Sequence, residues 1–497
     1  MKTFKITPQF DDLNSPETLL NHVEELTSFN ATPHGQILTQ LLEQLNPIDF
    51  EEKANPHNAE NFKLVNKHFV VLSIENVLQA AEFNKWGLCK NNNLVYLFNG
   101  TYWSELDKET FQKFLGLAAQ KISVPKFSAQ YYKFRKELME QFLSTAYLEA
   151  KPTMADKVLI NLKNGTFEIS PNGAKLRPFD RSDFLTYQLP FEYNPEAKAP
   201  LFEAYLNKVL PDVERQKVLA EYLGFVFIKH GSNRLKEEKA LILYGSGANG
   251  KSVFFEIVSA LLGKANTSNF SLQSLTNDNG YFRAKIANKL VNYASEINGK
   301  LESAIFKQLV SGEPVEARLP YGEPFTLGQY AKLIFNCNEL PRDVEQTNAF
   351  FRRFLIVPFE VTIPPNEQDK QLHTKIIENE LSGVFNWVLE GLNRLLEQKS
   401  FTDCKAAQQA VDNYRIQSDS VKMFVNENEY KATAENHIKI VDLYHEYKCF
   451  CIDDGFKPVN KSNFKKRLIG YGVIVDKVGS KGWCAYLSNG KPAYYNA

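Results

Sequence analysis

Cysteine and histidine are scarce. The six cysteines, Cys89, Cys337, Cys404, Cys449, Cys451 and Cys484, form no C-x-x-C pair, and the eight histidines are scattered. Neither a zinc ligand set nor a disulfide framework is encoded, so free thiols in a reducing compartment are expected. Long apolar runs are missing as well. None approaches the roughly 18 residues of a membrane span, and the N-terminus MKTFKITPQFDDLNSPE lacks the apolar core of a signal peptide. Net charge is absent too, with 58 basic residues against 58 acidic ones. That balance argues against a protein that coats nucleic acid through bulk charge, while leaving room for a local basic surface. A soluble, cytoplasmic protein without a membrane partner is expected.

The chain has 497 residues, 43% of them hydrophobic and 23% charged, which are globular values for about three domains. Residues 1–60 carry ten acidic side chains against three basic ones and should avoid DNA. Ser15-Pro16-Glu17 reads as a helix start, with Leu19, Leu20, Val23 and Leu26 at helical spacing. A second stripe, Ile37, Leu38, Leu41, Leu42 and Leu45, predicts a paired helix. Residues 61–200 read as an α+β domain. Within it, Leu94–Phe98 and Thr101–Trp103 flank Asn99-Gly100 as a hairpin with a type I′ turn, and the device recurs around Asn164-Gly165. Residues 201–235 form a helical lead-in, 236–400 carry the chemistry, 401–420 read as a polar linker, and 421–497 form a separate compact unit.

The central chemistry is a phosphate loop. The apolar run Ala240–Tyr244 is followed at once by Gly245-Ser-Gly-Ala-Asn-Gly-Lys-Ser252 and then by a helical stretch, Val253 to Leu262. This is the strand, G-x-x-x-x-G-K-[ST], helix order that a P-loop needs. Gly245, Gly247, Asn249 and Gly250 let successive N–H groups face phosphate oxygens at a helix N-terminus. Lys251 neutralises the β/γ oxygens of ATP, and the Ser252 hydroxyl ligates Mg²⁺. A P-loop requires a further acid at a strand end. Glu296, closing Lys289-Leu-Val-Asn-Tyr-Ala-Ser-Glu296, supplies it as the second Mg²⁺ group. A third strand, Lys332–Cys337, ends at Asn338, where an amide could orient the lytic water; alone, an Asn before Glu-Leu-Pro is turn chemistry. Arg352-Arg353 precede another apolar strand. Taken alone they read as surface charge, yet arginine is suited to bridging a phosphate across a subunit boundary.

In order and spacing these residues resemble the superfamily 3 helicases of the phage, plasmid and poxvirus primase–helicase type. The likeness runs from Leu94 to Phe359. It is densest at Asn161-Leu-Lys-Asn-Gly-Thr-Phe167, Glu221-Tyr-Leu-Gly224, Gly245 to Ser252, Ser295-Glu296, and Asn338-Glu-Leu-Pro341 followed by Arg353. The resemblance implies that Lys251 and Ser252 are the Walker A pair, Glu296 the Walker B acid, Asn338 the sensor and Arg353 the arginine finger, with Arg352 second in line. It also implies a DNA-gripping β-hairpin within 306–325, with Lys307, Arg318 and Tyr321 at functional positions. Two departures matter. The tip reads Leu319-Pro-Tyr-Gly-Glu323 rather than lysine- or arginine-rich, and a single acid stands where Walker B carries its carboxylates. Relatives often carry a primase, but no D-x-D on a strand and no zinc motif occurs in the first 150 residues, so any primase is expected on a separate chain.

The C-terminal segment reads helix (437–452), helix (462–469, capped by Ser462), then two β-prone strands around Gly479-Ser-Lys-Gly482, a winged-helix pattern. Between 455 and 482 seven basic residues, among them Lys465, Lys466, Arg467, Lys477 and Lys481, face one acid, Asp476. A basic helix and wing fit duplex contact, although a charge run is more often a solvated face and winged helices also dock proteins.

The expected fold is therefore α/β: an AAA+ P-loop ATPase core with an α+β N-terminal region and a C-terminal winged-helix domain. The expected activity is ATP-dependent unwinding of DNA by a homohexameric ring acting on single-stranded and forked DNA in phage or mobile-element replication, travelling 3′ to 5′ by resemblance. Two alternatives stay open. One is a replication initiator that uses ATP for assembly; the other is a signalling or defence NTPase indifferent to DNA.

Overall fold

The computed structural model describes residues 32–488 except 56, 58–60, 92–93, 148–155, 296, 298–300, 321 and 342–343. Among the described residues no helix is long and apolar enough to cross a membrane.

The first packed unit gathers α1 (His34–Gln44), α2 (Asn66–Phe83), the antiparallel strands β1 (Gly87–Asn91), β2 (Leu94–Phe98) and β3 (Trp103–Leu106), α3 (Lys108–Lys121) and α4 (Tyr132–Thr145). Ile37, Leu41 and Leu45 share a single core with Ile74, Val77, Phe111, Phe114, Leu138 and Phe142. A division at residue 60 therefore falls inside one unit. Glu43, Asp49, Glu51 and Glu52 are exposed on the outer side of that core, so charge content marked a surface rather than a boundary. The stripe Leu19–Leu26 lies outside the described residues. The turn at Asn99 also differs from the sequence reading. Phe98 pairs with Trp103, so the loop has four residues, and the Asn99 side chain accepts from the N–H groups of Thr101 and Tyr102. A side-chain turn of this kind replaces the type I′ geometry. In the second hairpin Leu162 pairs with Gly165, which makes Lys163-Asn164 the loop.

The strands β4 (Val158–Leu162), β5 (Gly165–Ser170) and β6 (Gly173–Arg177) form an antiparallel sheet. Ile160, Leu162, Phe167 and Ile169 pack in one core with Phe202, Leu206, Phe254 and Leu392. Residues 158–200 thus pack with the unit that carries the glycine loop rather than with residues 61–147. On β5, burial alone would raise the Glu168 carboxyl, but hydrogen bonds from Lys157 and Arg177 outweigh it and hold the group below the usual carboxylate range.

At the centre, five strands run all parallel in the order β13 (Phe354–Pro358), β7 (Ala240–Tyr244), β12 (Lys332–Cys337), β9 (Val291–Ala294), β8 (Thr267–Ser268). Leu241 and Leu243 of β7 enter one core, and Ala240 and Ile242 enter another on the opposite face. Burial on both faces explains why β7 reads as an unbroken apolar run. The connection between β9 and β12 holds α7 (Ser303–Ser311) and a hairpin of β10 (Val315–Arg318) and β11 (Pro324–Leu327).

Behind the sheet, α5 (Val213–Phe225) lies against α8 (Leu381–Gln398) at glycine distance. An added Cβ at Gly391 would sit 2.3 Å from the Ala220 carbonyl carbon, and one at Gly224 2.6 Å from Leu392 Cβ. Glu221, fully buried in α5, accepts from Arg394 Nε at 2.6 Å and Thr402 N at 2.7 Å, which satisfies the charge that burial would otherwise penalise.

Residues 401–420 are not a linker. They contain α9 (Lys405–Gln417), whose Ala407, Val411 and Tyr414 are buried at helical spacing while Tyr414 Oη donates to Pro341 O at 3.0 Å. Its composition is polar because only one stripe packs. The C-terminal unit follows, with α10 (Ser420–Glu427), the short strands β14 (Lys431–Ala432) and β15 (Ile438–Lys439), α11 (Ile440–Asp453), α12 (Lys461–Gly470), β16 (Val475–Lys477), β17 (Trp483–Ala485) and β18 (Leu487–Ser488). Phe424, Tyr447 and Phe464 form its core. The cap of α12 is Asn460, whose side chain accepts from Asn463 N, and not Ser462.

Gly391→Ala should be destabilising even though alanine is the better helix former by about 1 kcal/mol. A backbone contact below 3 Å forces the two helices apart, and a net loss of about 1–3 kcal/mol is expected in urea unfolding. An unchanged or higher midpoint would contradict this packing.

Candidate functional site

The carboxyl end of β7 runs straight into the glycine loop, and the loop is held from several sides. Gly245 N donates to Cys337 O at 3.1 Å, and Phe359 O accepts from Asn249 Nδ2 at 3.0 Å. Tyr205 Oη donates to Gly250 O at 2.8 Å, and Ile363 N to Ala248 O at 2.8 Å. Two glycines are compulsory on packing grounds. A Cβ at Gly245 would lie 2.3 Å from Phe359 O, and Gly250, at φ 86°, would place one 2.7 Å from Val209. At Gly247 an added Cβ meets nothing within 4 Å, so the packing of the protein does not demand glycine there.

Lys251 opens α6 (Lys251–Leu262) and is buried. Its Nζ donates to Gly245 O at 2.6 Å, Ser246 O at 3.1 Å and Asn249 Oδ1 at 3.0 Å. Burial pulls its pKa below the ordinary lysine value, and the neighbouring Cys337 group opposes that shift. The same burial pushes the Cys337 thiol up to about 12, which keeps it uncharged beside the loop. Ser252 is exposed at the helix N-terminus. Asn338 follows β12 directly and is exposed, next to the Cys337 carbonyl that receives Gly245 N. Gly245, Gly247, Asn249, Gly250, Lys251, Ser252 and Asn338 thus converge at the carboxyl edge of the sheet. Strand β9 ends at Ala294; Glu296 lies outside the described residues. Cys337, Tyr205 and Phe359, which shape the loop, went unnoticed because their contacts cross more than 40 positions of chain.

The two arginines part company. Arg353 points inward, donating from Nη2 to Ser311 Oγ at 2.8 Å and from Nη1 to Ala349 O at 2.5 Å, with Glu238 3.1 Å away. It is 8% exposed, whereas the Arg352 side chain is 58% exposed and holds Glu238 at 3.2 Å. The structure thus turns Arg353, the first choice for the finger by resemblance, inward and leaves Arg352 outward. Both arginines lie in the turn between the short helix Asn348–Phe351 and β13, where one step of chain turns Arg353 to the core and Arg352 to solvent, a difference that an Arg-Arg pair leaves ambiguous.

Of the hairpin candidates, Lys307 sits on α7 and is ion-paired with Glu345 at 3.0 Å. Arg318 ends β10 and its Nε donates to Gly322 O at 3.0 Å across the tip. Tyr321 lies outside the described residues. In the C-terminal unit Lys466 is exposed, but Arg467 turns back to Asp419 at 2.9 Å. Lys465 Nζ lies 3.3 Å from the centroid of the Trp483 ring, with Lys477 5.7 Å away on its strand. Lys481 Nζ is 3.2 Å from His437 Nε2. Trp483 is 44% exposed and joins the helix to the hairpin. An aromatic at an outward position between lysines is a signal the sequence did carry, and counting charge alone passed it over.

A strand, a glycine loop and a helix N-terminus at the carboxyl edge of a parallel sheet define a P-loop protein of the α/β class. Comparison with known proteins narrows this. Residues 80–211 match a family described as D5 N terminal like, and residues 416–475 one described as poxvirus D5 protein-like. Residues 243–353, from the glycine loop to Arg353, match DUF5906, a family of unknown function. A candidate helicase of Invertebrate iridescent virus 3, 121R, is 24% identical over 342 residues, 60% of this chain and 35% of that protein. Another, L207/L206 of Acanthamoeba polyphaga mimivirus, is 27% identical over 168 residues, 31% of this chain and 16% of that protein. The chain thus spans about a third or less of these curated relatives. The apo C-terminal region of NrS-1 aligns at a TM-score of 0.47 and 12% identity, covering 82% of this chain and 97% of that one. These matches support the resemblance read from the motifs: two stretches of the chain are similar to D5-type families, and the viral relatives that match it carry helicase names.

Arg353→Ala should lower stability by about 1–3 kcal/mol, since it removes a mostly buried side chain that donates to Ser311 and to the Ala349 carbonyl, while Glu238 keeps Arg352. Arg352→Ala, on the surface, should change it by less than about 0.5 kcal/mol. Thermal melts of the two variants, compared side by side, check the assignment.

Proposed function

We propose that the protein is an ATP-driven DNA motor of replication, a ring-forming helicase whose subunits bind ATP at the glycine loop. The observation that carries this reading is a hairpin, β10–β11, inserted between β9 and β12, the strand whose carboxyl end adjoins the loop. Nucleotide state and hairpin position are then mechanically linked through one sheet. The parallel order β13-β7-β12-β9-β8, with the loop strand second from the edge, supports an AAA+ core. The helix pair α11–α12 with the β16–β17 hairpin supports a winged helix.

The cradle fits a magnesium nucleotide: it is preformed, closed to side chains at Gly245 and Gly250, and ends in a buried ammonium beside an exposed hydroxyl. Lys251 would exchange its bonds to the loop carbonyls for phosphate oxygens, with N–H groups of the loop and of α6 cradling the same phosphates. Ser252 and Glu296 would hold the Mg²⁺, which supplies charge neutralisation on the transferred phosphate. Asn338 would orient water, and Arg352, as the outward arginine, would reach the nucleotide of the next subunit. Single-stranded DNA would meet the hairpin tip at Arg318 and Tyr321. Duplex at a fork would meet Lys465, Lys466, Lys477 and Trp483. Travel is proposed as 3′ to 5′.

The tip itself favours one competing reading. Arg318 is tied to Gly322 O, Leu319 is 40% exposed and no lysine stands at the turn, so phosphate neutralisation there is weak. An initiator that uses ATP for assembly would share these features but would not unwind a fork.

ATP hydrolysis with and without single-stranded DNA decides the matter. DNA should stimulate turnover; Lys251→Ala should reduce it by about a hundredfold or more, and Tyr321→Ala should weaken the stimulation by the loss of one stacked base, about 1–3 kcal/mol. Arg352→Ala subunits should restore part of the activity when mixed with Lys251→Ala subunits, because each supplies what the other lacks across the interface. Turnover indifferent to DNA in every variant would sink the motor reading.

A further inference from the structure

A cavity of about 590 Å³ lies at the opposite end of the sheet from the glycine loop. Its walls come from β2 and β3, the 184–187 segment, the chain beyond α5 (226–230), the 284–290 loop, and the second hairpin strand with the residues that follow it. Lys332, the first residue of β12, lines it, and the five further residues to Cys337 put roughly 17 Å between Lys332 and the glycine loop. The two sites therefore cannot share a phosphate.

Lys332 is the unusual group. It is 9% exposed, its ammonium lies 4.3 Å from the centroid of the Phe225 ring, and it donates to His230 Nδ1 at 3.0 Å. His230 Nε2 meets Tyr330 O at 3.1 Å, so Nε2 carries the ring proton and Nδ1 is left as the acceptor. Among the described residues no carboxylate offsets the burial of this ammonium, which pushes its pKa down to about 7. An imidazole lone pair and a ring face are weak compensation for a buried charge, which normally finds an anion. Lys229 and Lys108 line the same cavity, with Lys289 at its wall; the acids there are Glu105 and Glu323. The rest of the lining is rich in flat rings. Tyr96 and Phe184 stand 5.1 Å apart, centroid to centroid, with Phe227 and Phe325 also at the wall. The volume lies within the range of small-molecule sites, about 300–1,000 Å³.

We propose that this cavity is a second site for a nucleotide unit, in which Lys332 and Lys229 take the phosphate and the aromatic wall takes the base. The pairing of cations with rings fits a phosphorylated base better than a bare anion, which would leave the aromatic wall unused. The unit can arrive as a free mononucleotide or as one residue of a single strand, since the chemistry presented is the same. Occupation would be felt by the hairpin. Gly312, which ends α7, sits so close to His230 that an added Cβ would lie 2.3 Å from Nδ1, and Tyr330 Oη donates to Glu313 O at 2.8 Å. The proposal does not rest on the motor reading, because it concerns residues remote from the glycine loop.

Equilibrium dialysis of the full chain with radiolabelled ADP, and separately with a labelled short oligothymidylate, tests it. Wild type should bind more than one ADP per chain if the ligand is free nucleotide, and Lys251→Ala should retain the second. If the ligand is strand-borne, the oligothymidylate arm alone should respond. In either arm, Lys332→Met in the Lys251→Ala background should weaken binding by about tenfold or more, the loss expected for one charged hydrogen bond. Lys229→Ala should weaken it in the same arm, and melting curves check that both variants are folded. Loss of ADP binding by Lys251→Ala alone bears only on the glycine loop. If ADP and oligothymidylate bind equally well with and without both lysine changes, the cavity is not a nucleotide site.

Discussion

Strand β7 is the member on which the rest of the structure depends. It is buried on both faces, paired in parallel on both edges, and separates two hydrophobic cores. Such a strand has almost no freedom, so the loop at its end inherits a fixed origin and direction. Gly245 is then clamped between the carbonyl of Cys337 on one neighbouring strand and that of Phe359, just past the other. The geometry that phosphate binding needs is thereby set by backbone hydrogen bonds before any ligand contributes.

Much of this was legible in the sequence, for definite reasons. The glycine loop, its flanking strand and its helix are local, and their residue types are dictated by backbone geometry that only glycine tolerates, as Gly250 does at φ 86°. Strand β12 with Asn338 at its tip was readable as a short apolar run with a polar stop. What was not legible depends on contacts distant in sequence. Arg352 and Arg353 are indistinguishable as letters, and the contact that marks the inward one is with Ser311, 42 positions away from Arg353. The charge of residues 1–60 suggested a separate segment, whereas the apolar stripe Ile37, Leu41 and Leu45, equally visible, belongs to a core completed by α2 to α4. Segment 401–420 was misread because composition was weighed above period. Glu296 and Tyr321 lie outside the described residues, so their roles rest on the motif alone.

The C-terminal unit shows how a basic surface is divided between structure and recognition. Asp419 accepts from the N–H groups of Val421 and Lys422, from Arg467 and from the Tyr471 hydroxyl. One of the seven basic residues is thus consumed in fixing α12 to α10. Two of the lysines, Lys465 and Lys477, flank Trp483, where cation and ring keep each other at the surface. Net charge overstated the lysine and arginine available to a partner, and understated the apolar contact that comes with them.

The helical character of residues 405–417 changes what kind of machine this chain can be. A flexible tether would let the last seventy-odd residues wander and would cushion any load placed on them. Instead a rod of thirteen residues, about 20 Å long, lies along β13 and passes, through Ser418, directly into α10. Gln346 Nε2 grips that corner at Ser418 O, 3.0 Å away. Whatever pulls on the terminal unit therefore pulls on the edge strand of the central sheet, with no slack between them.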